Sequence, residues 1–195
     1  MEKFKFYLLI PSVYGKSNAG TLIRSASAFN CSSIFILNQD KKILKKFFGS
    51  QGTVKKMSFK YFSSLQELYD YCKQNAISIC GVNIKYKNTK TDAQPIQHFQ
   101  PQANTLFILG NSFNEIPDEL ELICDTFTYV EQHSEIAGEL NISIIGSIVF
   151  HTFGVLAGYD EAGLNEHFNK EKYIVEAATT TTAVTAVILH NEVNK

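Results

Sequence analysis

Apolar and polar positions along this chain fall into two alternating textures. Short apolar runs at Phe6 to Ile10, Ile34 to Leu37, Ile77 to Val82, Leu106 to Leu109 and Thr126 to Val130 have the length and residue content of buried strands. Between them lie segments with helical spacing: Ala19 to Phe29 after the candidate cap Asn18, Leu65 to Asn75 after Ser64, and Pro117 to Cys124 with proline near its first turn. Strand and helix take turns. That order predicts an α/β fold, a mostly parallel sheet flanked by helices on both faces.

The last clear element, Ile142 to Leu156, is apolar almost all the way round and is expected to be a buried helix. Its small residues Ser143, Gly146 and Ser147 admit another backbone at close range, either inside the domain or across a dimer interface, with the dimer slightly favoured. No internal repeat appears, the only low-complexity tract is Thr179 to Thr182, and the four prolines do not gather into a linker. One domain over residues 1–160 is expected, followed by an extension over 161–195 that reads equally as a short helix or as disorder.

Composition agrees with one domain: 195 residues, 45% hydrophobic, are enough to bury a substantial core. Cys31, Cys72, Cys80 and Cys124 are widely separated and form no CxxC pair, which argues against a zinc site or a disulfide framework and for a reducing compartment. No metal is expected. No run approaches the length of a membrane span, and the apolar stretch in MEKFKFYLLIPSVYG is short for a signal peptide. The expectation is a soluble intracellular protein, cytoplasmic before organellar, without a membrane partner.

Charge changes the picture more. Residues 1–90 carry 15 Lys or Arg against 4 acidic residues, a net +11, whereas residues 91–195 carry 3 against 15, a net −12. The basic half holds three clusters: KKILKK with Lys41, Lys42, Lys45 and Lys46, KKMSFK with Lys55, Lys56 and Lys60, and KYKNTK from Lys85 to Lys90. Phe47, Phe48, Phe59, Tyr61 and Tyr86 lie among them. Lysines for phosphates and rings for unpaired bases are what an RNA surface requires. A solvated lysine-rich surface accounts equally well for any single cluster.

Three segments place small or polar residues where parallel sheets gather ligands, at the carboxyl ends of strands: NAGTLIR (Asn18 to Arg24), LGNSFNEIP (Leu109 to Pro117) and IAGELNIS (Ile136 to Ser143). If the first helix begins near Asn18, Asn18 and Arg24 can share a site. Arg24 is the sole arginine beside 17 lysines, which hints at a need for its planar fork. A surface helix residue, or a structural ion pair with one of the C-terminal carboxylates, is the plainer reading. Backbone amides near Gly110 could hold a cofactor, and Asn141 either serves the site or simply caps the last helix.

The order and spacing of these segments resemble the SpoU/TrmH branch of the SPOUT methyltransferases over roughly residues 5 to 160. The first motif matches Asn18, Gly20 and Arg24, the second Gly110 and Asn111, and the third Leu140, Asn141 and the apolar helix beyond. VEQH, Val130 to His133, fits the loop before the third motif. The resemblance implies a deep C-terminal trefoil knot, one of the rare exceptions to unthreaded chains. It implies S-adenosylmethionine held by backbone of Leu109, Gly110 and Asn111, of Val130, Glu131 and Gln132, and of Ile136, Gly138, Leu140 and Asn141. It also implies a dimer, with a homodimer ahead of a heterodimer, in which one subunit's Arg24 approaches the other's cofactor and helps activate a ribose 2′-hydroxyl of tRNA or rRNA. A guanidinium is a poor proton acceptor in water, so the favoured role is to stay charged, grip a phosphate and stabilise the developing alkoxide while another group takes the proton.

Two positions depart from the pattern. Ser112 stands where the family usually has glutamate, and Glu139 where it usually has serine. Either the pair has exchanged sides, keeping Ser112 and Glu139 in the catalytic set with Arg24, Asn18 and Asn141, or selection on the site has lapsed. The rival function is therefore an enzymatically silent relative that binds structured RNA as an assembly factor or heterodimer partner. A nucleotide-binding α/β protein is a distant third, since no Walker or GxGxxG fingerprint follows the first strand.

Overall fold

The structure is a computed structural model and describes residues 3–11, 16–38, 47, 49–82, 93–110, 116–134, 136, 138 and 140–162. Its described strands are β1 (Phe6–Ile10), β2 (Ser33–Leu37), β3 (Phe59–Phe62), β4 (Ile77–Val82), β5 (Gln94–Pro95), β6 (Asn104–Leu109) and β7 (Thr126–Tyr129). They form one sheet in the order β3-β2-β1-β6-β4-β7-β5. Every pairing is parallel, for example Leu8 with Ile34 and with Phe107, and Val82 with Leu109. The helices are α1 (Lys16–Ala28), α2 (Leu65–Gln74), α3 (Asp118–Glu121) and α4 (Ile142–Leu156).

The five strands expected from apolar runs are all present. The two that periodicity missed are the sheet's edges: β3 lies within the lysine-rich segment, and β5 is two residues long and contains Pro95, which suits an edge and nothing more central. Ser64 caps α2, its side chain accepting from the Glu67 N–H, as expected. Asn18 does not cap α1. That helix already begins at Lys16, so Asn18 sits inside its first turn. The acidic segment after Pro117 keeps only four helical residues, fewer than its spacing predicts.

A core lies on each face of the sheet. On one face, Phe6, Leu8, Ile10, Phe107 and Leu109 meet Leu22, Ile23 and Ala26 of α1 and Ile145, Val149, Phe150 and Phe153 of α4. On the other, Leu9, Phe35, Leu37, Ile79 and Ile108 meet Leu68 and Cys72 of α2 and Leu120 of α3. Aromatic rings fill the first core. Phe6 stacks on Phe150 at 5.2 Å, Phe153 stands edge-on to Phe6 and Phe107 at 5.6 and 5.5 Å, and Phe99 closes the group. Such pairs add to plain burial. Burial also silences the thiols: those of Cys31, Cys72 and Cys80 are pushed up to about 12, and that of Cys124 is raised for the same reason. They remain protonated, which suits neither nucleophile nor metal ligand.

Helices α1 and α4 run side by side in the same direction: Asn18 lies by Asn141, Leu22 by Gly146, Ser25 by Ser147, and Phe29 by His151. Each ends in the same way. After α4, Gly158 takes a left-handed φ of 68°, with Tyr159 N–H donating to Gly154 O at 2.8 Å and Gly158 N–H to Val155 O at 3.1 Å. After α1, Asn30 at φ 64° plays the corresponding part, with Cys31 N–H donating to Ala26 O. Tyr159 then hydrogen-bonds through its hydroxyl to Phe4 O at 2.9 Å, pinning the segment after α4 beside the segment that leads into β1. Met1–Tyr159 is one compact unit, and of the extension expected over 161–195 only Glu161 and Ala162 are described. The threading of a trefoil knot depends on the loops at the carboxyl ends of β4, β6 and β7, much of which (83–92, 111–115, 135, 137 and 139) lies outside the described residues.

The small residues of α4 have a definite neighbour, and it is internal. A Cβ on Gly146 would stand 2.4 Å from Leu22 Cδ2 and 3.1 Å from Leu109 Cδ2, so this glycine seats α4 against α1 and β6 within the domain. The slight preference for a dimer contact at these small residues is thus corrected. Because Leu22 and Leu109 are fully buried, Gly146→Val is expected to overpack this contact by about 1–3 kcal/mol. Urea unfolding followed by circular dichroism should show a lower midpoint with unchanged slope. An unshifted midpoint would mean the contact has slack.

Candidate active site

In a parallel sheet whose crossovers are helical, every strand's carboxyl end opens onto the same side, and the helices that follow start there. Here α1 follows β1, and α4 follows β7 through residues 130–141. Their parallel course brings both N-termini to one place, with the positive ends of two macrodipoles. Asn18 and Asn141, 123 residues apart in sequence, meet there: Asn141 Nδ2 donates to Asn18 Oδ1 at 3.4 Å, the long end of hydrogen bonding. Asn141 is also the cap of α4. Its Oδ1 accepts from the Ser143 N–H at 2.9 Å and from the Ser143 hydroxyl at 2.7 Å. Cap and site are thus one residue.

From this pair a polar seam follows the α1–α4 contact. Ser147 Oγ donates to the Ser143 carbonyl at 2.7 Å, and the hydroxyls of Ser147 and Ser25 are 2.8 Å apart. The seam uses short hydroxyls because a larger polar group would hold the helices apart. The sequence marked Ser147 only as small; nothing in it signalled Ser25.

Gly110 and Val130 stand one residue beyond the last paired positions of β6 and β7, Leu109 and Tyr129. Leu109 and Gly110 are buried, whereas Val130 and Leu140 are half-buried and pack against the first core. Beyond Val130 the chain turns into an exposed loop through Glu131, Gln132, His133 and Ser134. Gln132 Nε2 donates to the Gly138 carbonyl at 3.3 Å, bridging the loop's neck. Gly138 has a left-handed φ of 61°, where a side chain would be strained, and the space around it is open. Ile136 is 98% exposed. Apolar surface from Val130 and Leu140, a bend at Gly138 and strand-end backbone groups make a donor set that suits a flat heterocycle with polar edges. No described helix is long and apolar enough to cross a membrane.

Arg24 does not join this group. It lies six residues after Asn18 on a helix that has already begun, so the two side chains point about 120° apart around the axis. Asn18 turns to Asn141, while Arg24 is exposed with Thr21 and Ala28, its neighbours one turn away. The start at Lys16 takes away the later helix start on which a shared site within one chain was conditional. Lys55, Lys56 and Lys60 are elsewhere as well. Lys55 and Lys56 are exposed at the approach to β3, where the Ser58 carbonyl accepts from Ile34 at the amino end of β2, away from the motif end. Lys60 lies over the ring of Tyr71 at 4.0 Å, in a groove of about 460 Å³ between β3 and α2. Asn111, Ser112, Glu139, Lys41, Lys42, Lys45 and Lys46 lie outside the described residues, and so does the question of a Ser112–Glu139 exchange.

The model of the SpoU rRNA Methylase family matches residues 5–151. A mitochondrial rRNA methyltransferase 1 from Dictyostelium discoideum is 23% identical over 154 residues, which cover 77% of this chain and 29% of that protein. Among solved structures, the SpoU methyltransferase AviRb from Streptomyces viridochromogenes, in complex with the cofactor AdoMet, superposes with a TM-score of 0.65 at 18% identity over 83% of this chain and 60% of its own. A TrmH/SpoU tRNA modifying enzyme of A. aeolicus gives a TM-score of 0.63 at 14% identity, covering 81% of this chain and 77% of that one. The chain thus spans less than a third of the curated relative, and these structural likenesses speak for the fold.

The double duty of Asn141 is directly testable. Asn141→Ala should cost about 1 kcal/mol through loss of the cap. Asn141→Ser keeps a capping oxygen and should recover most of that in urea or thermal unfolding. Equal losses in both variants would show that the link to Asn18, and not the cap, carries the stability.

Proposed function

The chain belongs to the SpoU rRNA Methylase family, and from that premise we propose that it transfers a methyl group from S-adenosylmethionine to a ribose 2′-hydroxyl of tRNA or rRNA. The observation that carries the reading is the meeting of Asn18 and Asn141 at the paired N-termini of α1 and α4. Two residues far apart in sequence converge where a parallel sheet gathers ligands, beside the strand-end backbone of Leu109, Gly110 and Val130. The cofactor, when bound, supplies an electrophilic methyl group on a sulfonium. The chain's own part is to hold it by the backbone of residues 109–111, 130–132 and 136–141, and to hold the RNA so that the 2′-oxygen lies in line. Much of the acceleration then comes from positioning. The C-terminal knot belongs to the same reading, as the device that fixes those three loops against one another.

The exposed Arg24 is accommodated if the working unit is a dimer. A guanidinium that turns away from its own Asn141 is free to reach the site of a second copy, where its fork grips the phosphate next to the target ribose and stabilises the developing alkoxide. Helix α4 offers a surface for such pairing: Ile144 is 48% and Val155 64% exposed, and with half-buried Ile148 they form an apolar stripe along one side of the helix. Ser112 and Glu139 are kept in the proposed catalytic set as an exchanged pair.

Two outcomes are expected. Incubation with S-adenosylmethionine and cellular RNA, followed by mapping of 2′-O-methyl positions, should reveal a modified ribose, and Arg24→Lys should reduce the rate about a hundredfold because the charge is kept and the fork lost. Undiminished methylation by that variant refutes the role given to Arg24; RNA binding without methylation by the wild type leaves the silent RNA-binding relative as the function. In analytical ultracentrifugation the wild type should sediment as a dimer and Ile144→Glu as a monomer. A wild type that is monomeric at assay concentrations rules out catalysis in trans.

A further inference from the structure

The loop from β7 to α4 supplies much of the backbone proposed to face the cofactor, and its described residues are tied down at three points. At its end Asn141 caps α4 and reaches Asn18. Across its neck Gln132 donates to the Gly138 carbonyl. At its start Gln97 Nε2 donates to Glu131 Oε2. Gln97 belongs to none of the three motifs, and no pattern in the sequence picks it out.

What makes Gln97 a good anchor is its own support. It sits on the 3₁₀ turn Ile96–His98 that follows β5, between Ile96, 2% exposed, and Phe99, 7% exposed. Both neighbours are in the first core, where Phe99 meets the rings of Phe107 and Phe153 at 6.0 and 6.1 Å. The strand before it is fixed as well, since β5 pairs with β7 and the Thr128 hydroxyl donates to Gln94 O at 2.8 Å. The amide donor therefore projects from rigid backbone to an exposed loop. Because β5 lies beyond β7 at the sheet's edge, a Glu131 side chain drawn to Gln97 is drawn away from β4 and β6.

We infer that Gln97 is a positioning residue for the cofactor loop: through Glu131 it pre-orders the backbone of Val130 to Gln132, so that binding S-adenosylmethionine does not have to order it. The inference rests on the cofactor reading above. A charge-assisted hydrogen bond from a fixed donor is the right kind of restraint, because pre-ordering a loop removes part of the ordering cost of binding.

The test uses the full chain, with calorimetry of S-adenosylmethionine binding and hydrogen exchange of the free protein. Gln97→Ala is expected to weaken binding about three- to tenfold and to speed amide exchange over residues 130–134, with the kinetic loss appearing in KM for the cofactor more than in kcat. The double variant Gln97→Glu with Glu131→Gln reverses donor and acceptor, and should restore both affinity and protection. If the wild type binds while Gln97→Ala matches it in affinity and exchange, the inference is overturned and the cofactor reading stands. A weakened Gln97→Ala that the double variant fails to rescue, with a lowered thermal midpoint, also overturns it, as a merely structural role. A wild type that binds no S-adenosylmethionine overturns the cofactor reading, and this inference with it.

Discussion

The seating of α4 against α1 and the first face of the sheet is the contact on which the rest of the molecule depends. It joins residues more than 120 positions apart, so its formation must offset a long loop closure, and the means are visible. Gly146 lets Leu22 and Leu109 come within range of the α4 backbone, and Phe150 and Phe153 bury fully against Phe6 and Phe107. Large rings supply the area and a glycine supplies the approach. The seam of Ser25, Ser143 and Ser147 then settles the register between the two helices, since short hydroxyls can pair only when the helices are close and correctly aligned.

Function follows from direction as much as from proximity. Because α1 and α4 run parallel, two helix starts coincide at the carboxyl end of the sheet, and with them Asn18 and Asn141. An antiparallel course would have delivered the same buried area and separated the two motifs by the length of a helix. The helical phase that turns Asn18 inward also turns Arg24 outward. One geometric fact thus brings Asn18 and Asn141 together within a chain and turns Arg24 away from them, which is why the proposed chemistry is tied to assembly.

The charge asymmetry acquires a more limited meaning. Lys55 and Lys56 are exposed but lie toward the amino end of the sheet, and Lys60 is engaged with Tyr71 on the opposite face from α1 and α4. Lys55, Lys56 and Lys60 do not form one patch around Asn18 and Asn141. RNA contacts by these lysines would have to wrap the domain, or guide RNA towards it by long-range attraction.

Hydrophobic period and turn chemistry are local, and what they control was legible in the sequence. The five inner strands, the cap at Ser64, the full extent of Ile142–Leu156 and the α/β class follow from side chains that bury or cap within a few residues of one another. So did the three motif segments, whose small and polar residues lie on the stretches of chain that follow β1, β6 and β7. The edge strands β3 and β5 were not legible: an edge strand buries too little for its apolar pattern to stand out, and its pairing partner is elsewhere in the chain. The start of α1 at Lys16 was hidden too, since Asn18 looks like a cap until its side chain is seen turned to Asn141. Only tertiary structure decided that Gly146 serves α1, that Ser25 answers Ser147 and that Gln97 holds Glu131. Each of these is a contact between segments whose separation in sequence carries no periodic signal, and whose meeting is fixed by how the helices cross the sheet.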